Sequence, residues 1–159
     1  MTHPLDSALG YALSPRLPKA ARDDYQALTY IALFAGQGAE AARDCPAAAY
    51  APLGACIKNA AAWASRLPSA DGLALDAIRA EYDRADAKHH GRTPYNRAMS
   101  DHDRAAILLE EVGEVARACT PDADTPIGHA GELRTELIQT ATMAAAWLAR
   151  LIEDQEATR

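Results

Sequence analysis

Aromatic residues are scarce in this chain of 159: one Phe, two Trp and six Tyr make up 6%. Strand-like alternation of apolar and polar residues is absent throughout. Hydrophobic residues reach 49%, but many are alanine, the best helix former and small enough to let helices approach closely. These two facts exclude a sheet-based core and predict an all-α bundle of about five helices. No apolar run approaches the length of a membrane span, and the proline-bearing start MTHPLDSALGYALSPRLPKA lacks a basic segment followed by a long apolar run. A cytoplasmic protein without membrane contact is expected. Positive charge is in deficit, with a net charge of −6. A nucleic-acid backbone, which demands clustered cations, is therefore excluded as a partner.

Other motifs are missing too. The three cysteines (Cys45, Cys56, Cys119) form no CxxC and no Cys/His metal spacing, so reduced, buried thiols are expected. His89, His90 and His102 have no HExxH-type spacing. Neither a P-loop nor GxGxxG occurs, so any nucleotide would be held by metal and carboxylates rather than by a glycine cradle.

What is present is helical. Residues 1–20 carry Pro4, Pro15 and Pro18 and are expected as an extended arm. Residues 21–68 read as a helical hairpin. Its first helix runs from Asp23 to Cys45, capped by Asp23 or Asp24 and able to kink at Gly36 and Gly38; its second runs from Tyr50 to Leu67. Residues 69–159 hold three more helices and pack with the hairpin as one domain. The first opens at Ser69–Asp71, presents Leu75, Ile78, Tyr82, Ala85 and His89 as an apolar stripe, and stops at Gly91. The next starts at Ser100 or Asp101 and ends near Cys119. Its stripe is Leu108, Val112, Val115 and Cys119, widened by Ala105, Leu109 and Ala116. After the turn-rich linker TPDADTPIGH, the last spans about Ala130 to Glu153 and packs through Leu133, Leu137, Ala141, Ala144, Leu148 and Leu151. AEAARDC at 39–45 echoes GEVARAC at 113–119, and AAAWASRL at 60–67 echoes AAAWLARL at 144–151. The hairpin therefore reads either as a degenerate internal duplication or as the chance likeness of alanine-rich helices. As a duplicate it would have kept packing and lost carboxylates, since Gln37 stands where Glu111 would be.

The stretch from Ile107 to Leu151 carries the chemistry. Glu111 and Glu114 lie three apart on one helix, and Glu132 and Glu136 four apart on the next, so each pair sits on one side of its helix. Measured from the core stripes, Glu111 and Glu136 occupy the same flank, continued on the last helix by Glu132, Gln139, Met143 and Trp147. Two such flanks can face a shared groove. Crowded carboxylates repel by about a kcal/mol or more per close pair, a reason to expect a hard divalent cation among them. The bland alternative is a solvated acidic face, and Trp147 is core unless it stacks on a base.

HDRAAILLEEVGEVARA followed by ELRTELIQTATMAAAWLARL resembles the MazG-like all-α nucleoside triphosphate pyrophosphohydrolases, whose pattern is ExxE on one helix and ExxD on the next. Glu111–Glu114 matches the first. Glu136–Gln139 matches the second with Gln for Asp. The upstream AIRAEYDRADAKHHG is similar to the family's E..RQD.KWG segment, through Glu81, Arg84, Asp86, Lys88 and Gly91. The likeness covers residues 75–153. It implies a homodimer or higher homo-oligomer that hydrolyses a nucleoside triphosphate (NTP or dNTP) to the monophosphate and pyrophosphate with Mg²⁺, for which Mn²⁺ can substitute. Such an enzyme acts on phosphoric anhydrides in nucleotide-pool control. On this reading Glu111, Glu114 and Glu136 are catalytic metal ligands, and Glu110 or Glu132 orients the water or binds a further ion. Gln139 supplies an amide oxygen, while Lys88, Arg84 or Arg92 meets phosphate. Arg84 and Lys88 would otherwise solvate a helix face, and Glu132 favour its helix N-terminus. The alternative left open by Gln139 is a catalytically inactive MazG-like helical module that interacts with a partner or binds nucleotide.

Overall fold

A computed structural model of the chain describes residues 2–68, 74–120 and 130–159. Among them are six α-helices and no strand: α1 (Asp6–Ala12), α2 (Asp24–Asp44), α3 (Tyr50–Ala64), α4 (Ala74–Lys88), α5 (Asp101–Ala118) and α6 (Ala130–Ala157). A single 3-10 turn, Pro46–Ala49, links α2 to α3. The expected helix start at Ser69–Asp71 and nearly all of the TPDADTPIGH linker lie outside the described residues. No described helix is long and apolar enough to cross a membrane.

α6 is the axis. Every residue from Thr140 to Leu151 is buried, as expected of a helix apolar on all sides rather than along one stripe. α3, α5, α4 and α1 all pack on it, and α2 bridges α3 and α5. α2 with α3 and α5 with α6 thus form two hairpins that meet α3 to α6 and α2 to α5. Trp63 and Trp147, at matching positions of the two sequence echoes, are both in the core, 2% and 0% exposed. Trp147 therefore does not reach a ligand.

Residues 1–20 are not an extended arm. Their prolines flank α1 instead of interrupting it, and Leu5, Ala8, Leu9 and Ala12 are buried against the bundle. Seven residues make a marginal helix alone; burial of that apolar face against α3 and α6 fixes it, and an ion pair from Asp6 to Arg79 (3.1 Å) and a hydrogen-bond contact from His3 to Asp83 (3.3 Å) tie its start to α4. Two stripe residues are also corrected. His89 is exposed and Leu109 is 46% exposed, because the helices they were expected to touch pack one step further round. Of the thiols Cys45 is exposed and Cys119 half-buried, while Cys56 is buried and pushed up to about 12 by desolvation.

The helix ends follow their local chemistry. Asp23 accepts from the Gln26 N–H (2.8 Å) at the start of α2, and Ser100 from the Asp103 N–H (3.1 Å) at the start of α5. α4 stops where His90 and Gly91 take φ of 53° and 77°, with the Gly91 N–H donating to the Asp86 carbonyl (2.9 Å).

α2 runs through Gly36 and Gly38 without interruption. The two glycines differ in purpose. A Cβ on Gly38 would lie 2.7 Å from Leu53 Cδ2 of α3, whereas one on Gly36 meets nothing within 4 Å. Gly36→Ala is therefore expected to raise stability by about 0.5–1 kcal/mol. Gly38→Val should lower it by about 1–3 kcal/mol through overpacking. Urea unfolding checks both, and equal effects at the two positions would refute the close α2–α3 approach.

Candidate metal centre

α5 and α6 pack side by side, and their carboxylates meet as the flank argument requires. Ligand oxygens of Glu111, Glu114 and Glu136 all lie within 4.8 Å of one another. Glu136 is 8% exposed, since it sits one turn before the fully buried stretch of α6. Glu111 and Glu114 are half-buried at the border of the α5 core stripe. Oε2 of Glu111 and Oε2 of Glu136 are buried and accept no hydrogen bond among the described residues. Buried oxygens without donors are costly, and a divalent cation is the ligand that three converging carboxylates fit.

Two of the three, Glu111 and Glu114, line a cleft of about 280 Å³, and Glu136 lies behind them, outside its lining. Glu110, Gln139, Arg84, Lys88 and Arg92 line that cleft with Glu111 and Glu114. Glu132 does not line it: it is exposed and pairs with Arg117 (3.3 Å) across the α5–α6 join. Sequence reasoning left the Glu81 carboxyl without a role, yet it also lines the cleft, where Arg84 grips it with two hydrogen bonds (2.5 and 2.7 Å). Its spacing from Arg84 was visible, but nothing in α4 alone says that this face lines a cleft with α5. Thr93, Pro94 and His89 complete the wall.

Electrostatics matches the geometry. Burial first, then the neighbouring Glu114, Glu136, Glu110 and Glu81, raise the Glu111 carboxyl to about 7. Burial also raises Glu136, reinforced by the charge of Glu114 and a hydrogen bond shared with it. Arg84 is held above its usual range chiefly by its hydrogen bonds to Glu81. Matches for the chain are lacking among family models, curated proteins and solved structures alike. The site therefore stands on its own residues.

A carboxyl whose folded value lies above its ordinary 4.5 stabilises the fold while protonated, and that contribution is lost as pH rises toward 7. Without divalent cations, stability should fall between pH 5 and 8, a window clear of the exposed aspartates whose values are lowered. Glu111→Gln should flatten the fall. Mg²⁺ at a hundred times its Kd should add about 2.7 kcal/mol to the wild type at pH 8. Denaturant titrations with and without Mg²⁺ measure this; a wild-type profile flat in both pH and Mg²⁺ would remove the case for a cation site.

Proposed function

We propose that this protein is a cytoplasmic, Mg²⁺-dependent nucleoside triphosphate pyrophosphohydrolase of the MazG-like kind, releasing a nucleoside monophosphate and pyrophosphate. One observation carries the reading. Three converging carboxylates carry two buried, donor-free oxygens, and two of the three, Glu111 and Glu114, line a cleft together with Arg84, Lys88 and Arg92. An anionic substrate entering a carboxylate floor needs both a cation beneath it and cations beside it. Phosphoric anhydrides meet that description.

Glu111, Glu114 and Glu136 hold the ion, and Gln139 offers a neutral amide oxygen in the same cleft. Held there, Mg²⁺ would neutralise charge on the phosphate oxygens and lower the pKa of the attacking water. Lys88 and Arg92 orient the polyphosphate from the side. Arg84, already bound to Glu81, can share its guanidinium with a phosphate oxygen. Glu110, exposed on the cleft wall, is placed to accept the proton of the water. The partly dry floor keeps these charges effective, because screening is weaker there than in open solvent.

Gln139 favours a second reading, a nucleotide-binding module without turnover. A neutral amide stands in the cleft where a fourth carboxylate would draw a second ion. Turnover separates the two. Each NTP and dNTP is incubated with Mg²⁺ and released pyrophosphate measured. Glu111→Gln and Glu136→Gln should each lower kcat by at least about a hundredfold, or ~2.7 kcal/mol of barrier, with the helical circular dichroism unchanged. Absence of turnover in folded wild-type protein would overturn the hydrolase, and thermal stabilisation by a nucleotide analogue would then leave the binding module.

A further inference from the structure

Between α4 and α5 the chain from 89 to 100 has no regular structure, yet it is pinned from several sides. Arg104 of α5 is 6% exposed. Its Nε donates to the Pro94 carbonyl (2.8 Å), its Nη2 to the Asn96 carbonyl (2.8 Å) and its Nη1 to Asp101 Oδ1 (2.7 Å). Within the segment, Asn96 Nδ2 donates to the Gly91 carbonyl (2.6 Å) and Asn96 Oδ1 accepts from the Ala98 N–H (2.8 Å). The Tyr95 hydroxyl donates to Glu153 (3.0 Å), with the Arg150 guanidinium 5.6 Å from its ring centroid. Burying a guanidinium is expensive unless its donors are met. Here two of them meet backbone carbonyls that no helix ladder serves, so the charge is spent on holding irregular chain in one shape.

That shape matters to the cleft. Arg92, Thr93 and Pro94 form part of its wall, and Asn96 with Arg92 lines an adjoining cavity of about 820 Å³ that shares Lys88 and His89 with it. Neither Lys88 nor Arg92 has an ion-pair partner among the described residues. They are cations left uncommitted on either side of a fixed turn.

We propose that Arg104 is a positioning residue of the nucleotide site: by holding the Pro94 and Asn96 carbonyls it fixes the backbone from which Arg92 offers a polyphosphate contact in the cleft that Glu111 and Glu114 also line. The inference rests on the hydrolase reading above, and it makes the 91–96 segment a rigid wall. Preorganisation of this kind lowers the ordering cost of binding. A lysine cannot replace it, because an ammonium lacks the planar fork that spans two carbonyls and a carboxylate.

The test uses two probes on the full chain: Mg²⁺ alone, and inorganic tripolyphosphate with Mg²⁺, each titrated calorimetrically, beside steady-state kinetics on the best NTP. In Arg104→Lys, tripolyphosphate affinity should fall and KM rise about tenfold, while kcat and the affinity for Mg²⁺ alone stay within about twofold. Arg92→Ala should lower tripolyphosphate affinity by a similar factor and leave the affinity for Mg²⁺ alone within about twofold. The double variant should lose less than about twofold beyond the worse single one, because the two substitutions remove one interaction. Wild-type affinity in a folded Arg104→Lys, or losses that multiply in full, would overturn the positioning role and leave the hydrolase standing. A wild type that binds neither probe and turns over no NTP would sink both. Should Arg104→Lys fail to fold, Asn96→Ala cuts the tie to Gly91 while keeping the Arg104 charge, and it carries the same expected split and the same conditions of failure.

Discussion

The burial of α6 on all sides is the constraint on which the rest depends. A helix that is apolar all round must be wrapped, and α1, α3, α4 and α5 wrap it. The wrapping is close because so much of the contact is alanine, and the run Ala144–Ala146 is 0% exposed. Glu136 sits at the edge of this dry stretch. Its carboxylate lies beside Glu114 and Glu111 at a cost that burial and repulsion both raise. The same packing that stabilises the bundle therefore creates the strained charge at its border.

Strain of that sort is informative because the remedies are few. Protonation relieves it, and the raised value of Glu111, about 7, says how near that remedy lies at neutral pH. A divalent cation relieves it more completely, replacing three mutual repulsions with three attractions. Arginine is the third remedy, and the chain uses it only at the margin, where Arg84 neutralises Glu81. Among the described residues no arginine forms an ion pair within the cluster itself, unlike a structural ion-pair network.

Much of this was legible in the sequence, and the parts that were not share a cause. The core stripes of α5 and α6 and the convergence of Glu111 with Glu136 follow from helical periodicity, which depends on one helix at a time. α1 was missed because seven residues bounded by prolines have no periodicity to read; only the bundle surface that receives Leu5 and Leu9 makes them helical. Glu81 gained its place, and Glu132 lost its expected one, through the way α4 and α5 each pack on α6. Crossing angles depend on how two surfaces interlock, and neither strand of sequence states them. Leu109 and His89 were read as core for the same reason, since a stripe can be wider than the contact it makes.

Arg104 extends the argument to irregular chain. A turn that lines a site faces two opposed demands: its backbone must be satisfied, and its side chains must stay available to a ligand. Helix and strand meet the first demand internally, but residues 92–96 cannot. Here the backbone is satisfied from behind, by a buried guanidinium and an asparagine amide, which leaves Arg92 uncommitted in front. The carboxylate floor and this wall are thus built by the same rule. In each, a buried polar group, Glu136 on α6 or Arg104 on α5, stands behind a half-buried or exposed neighbour whose charge is left unmet.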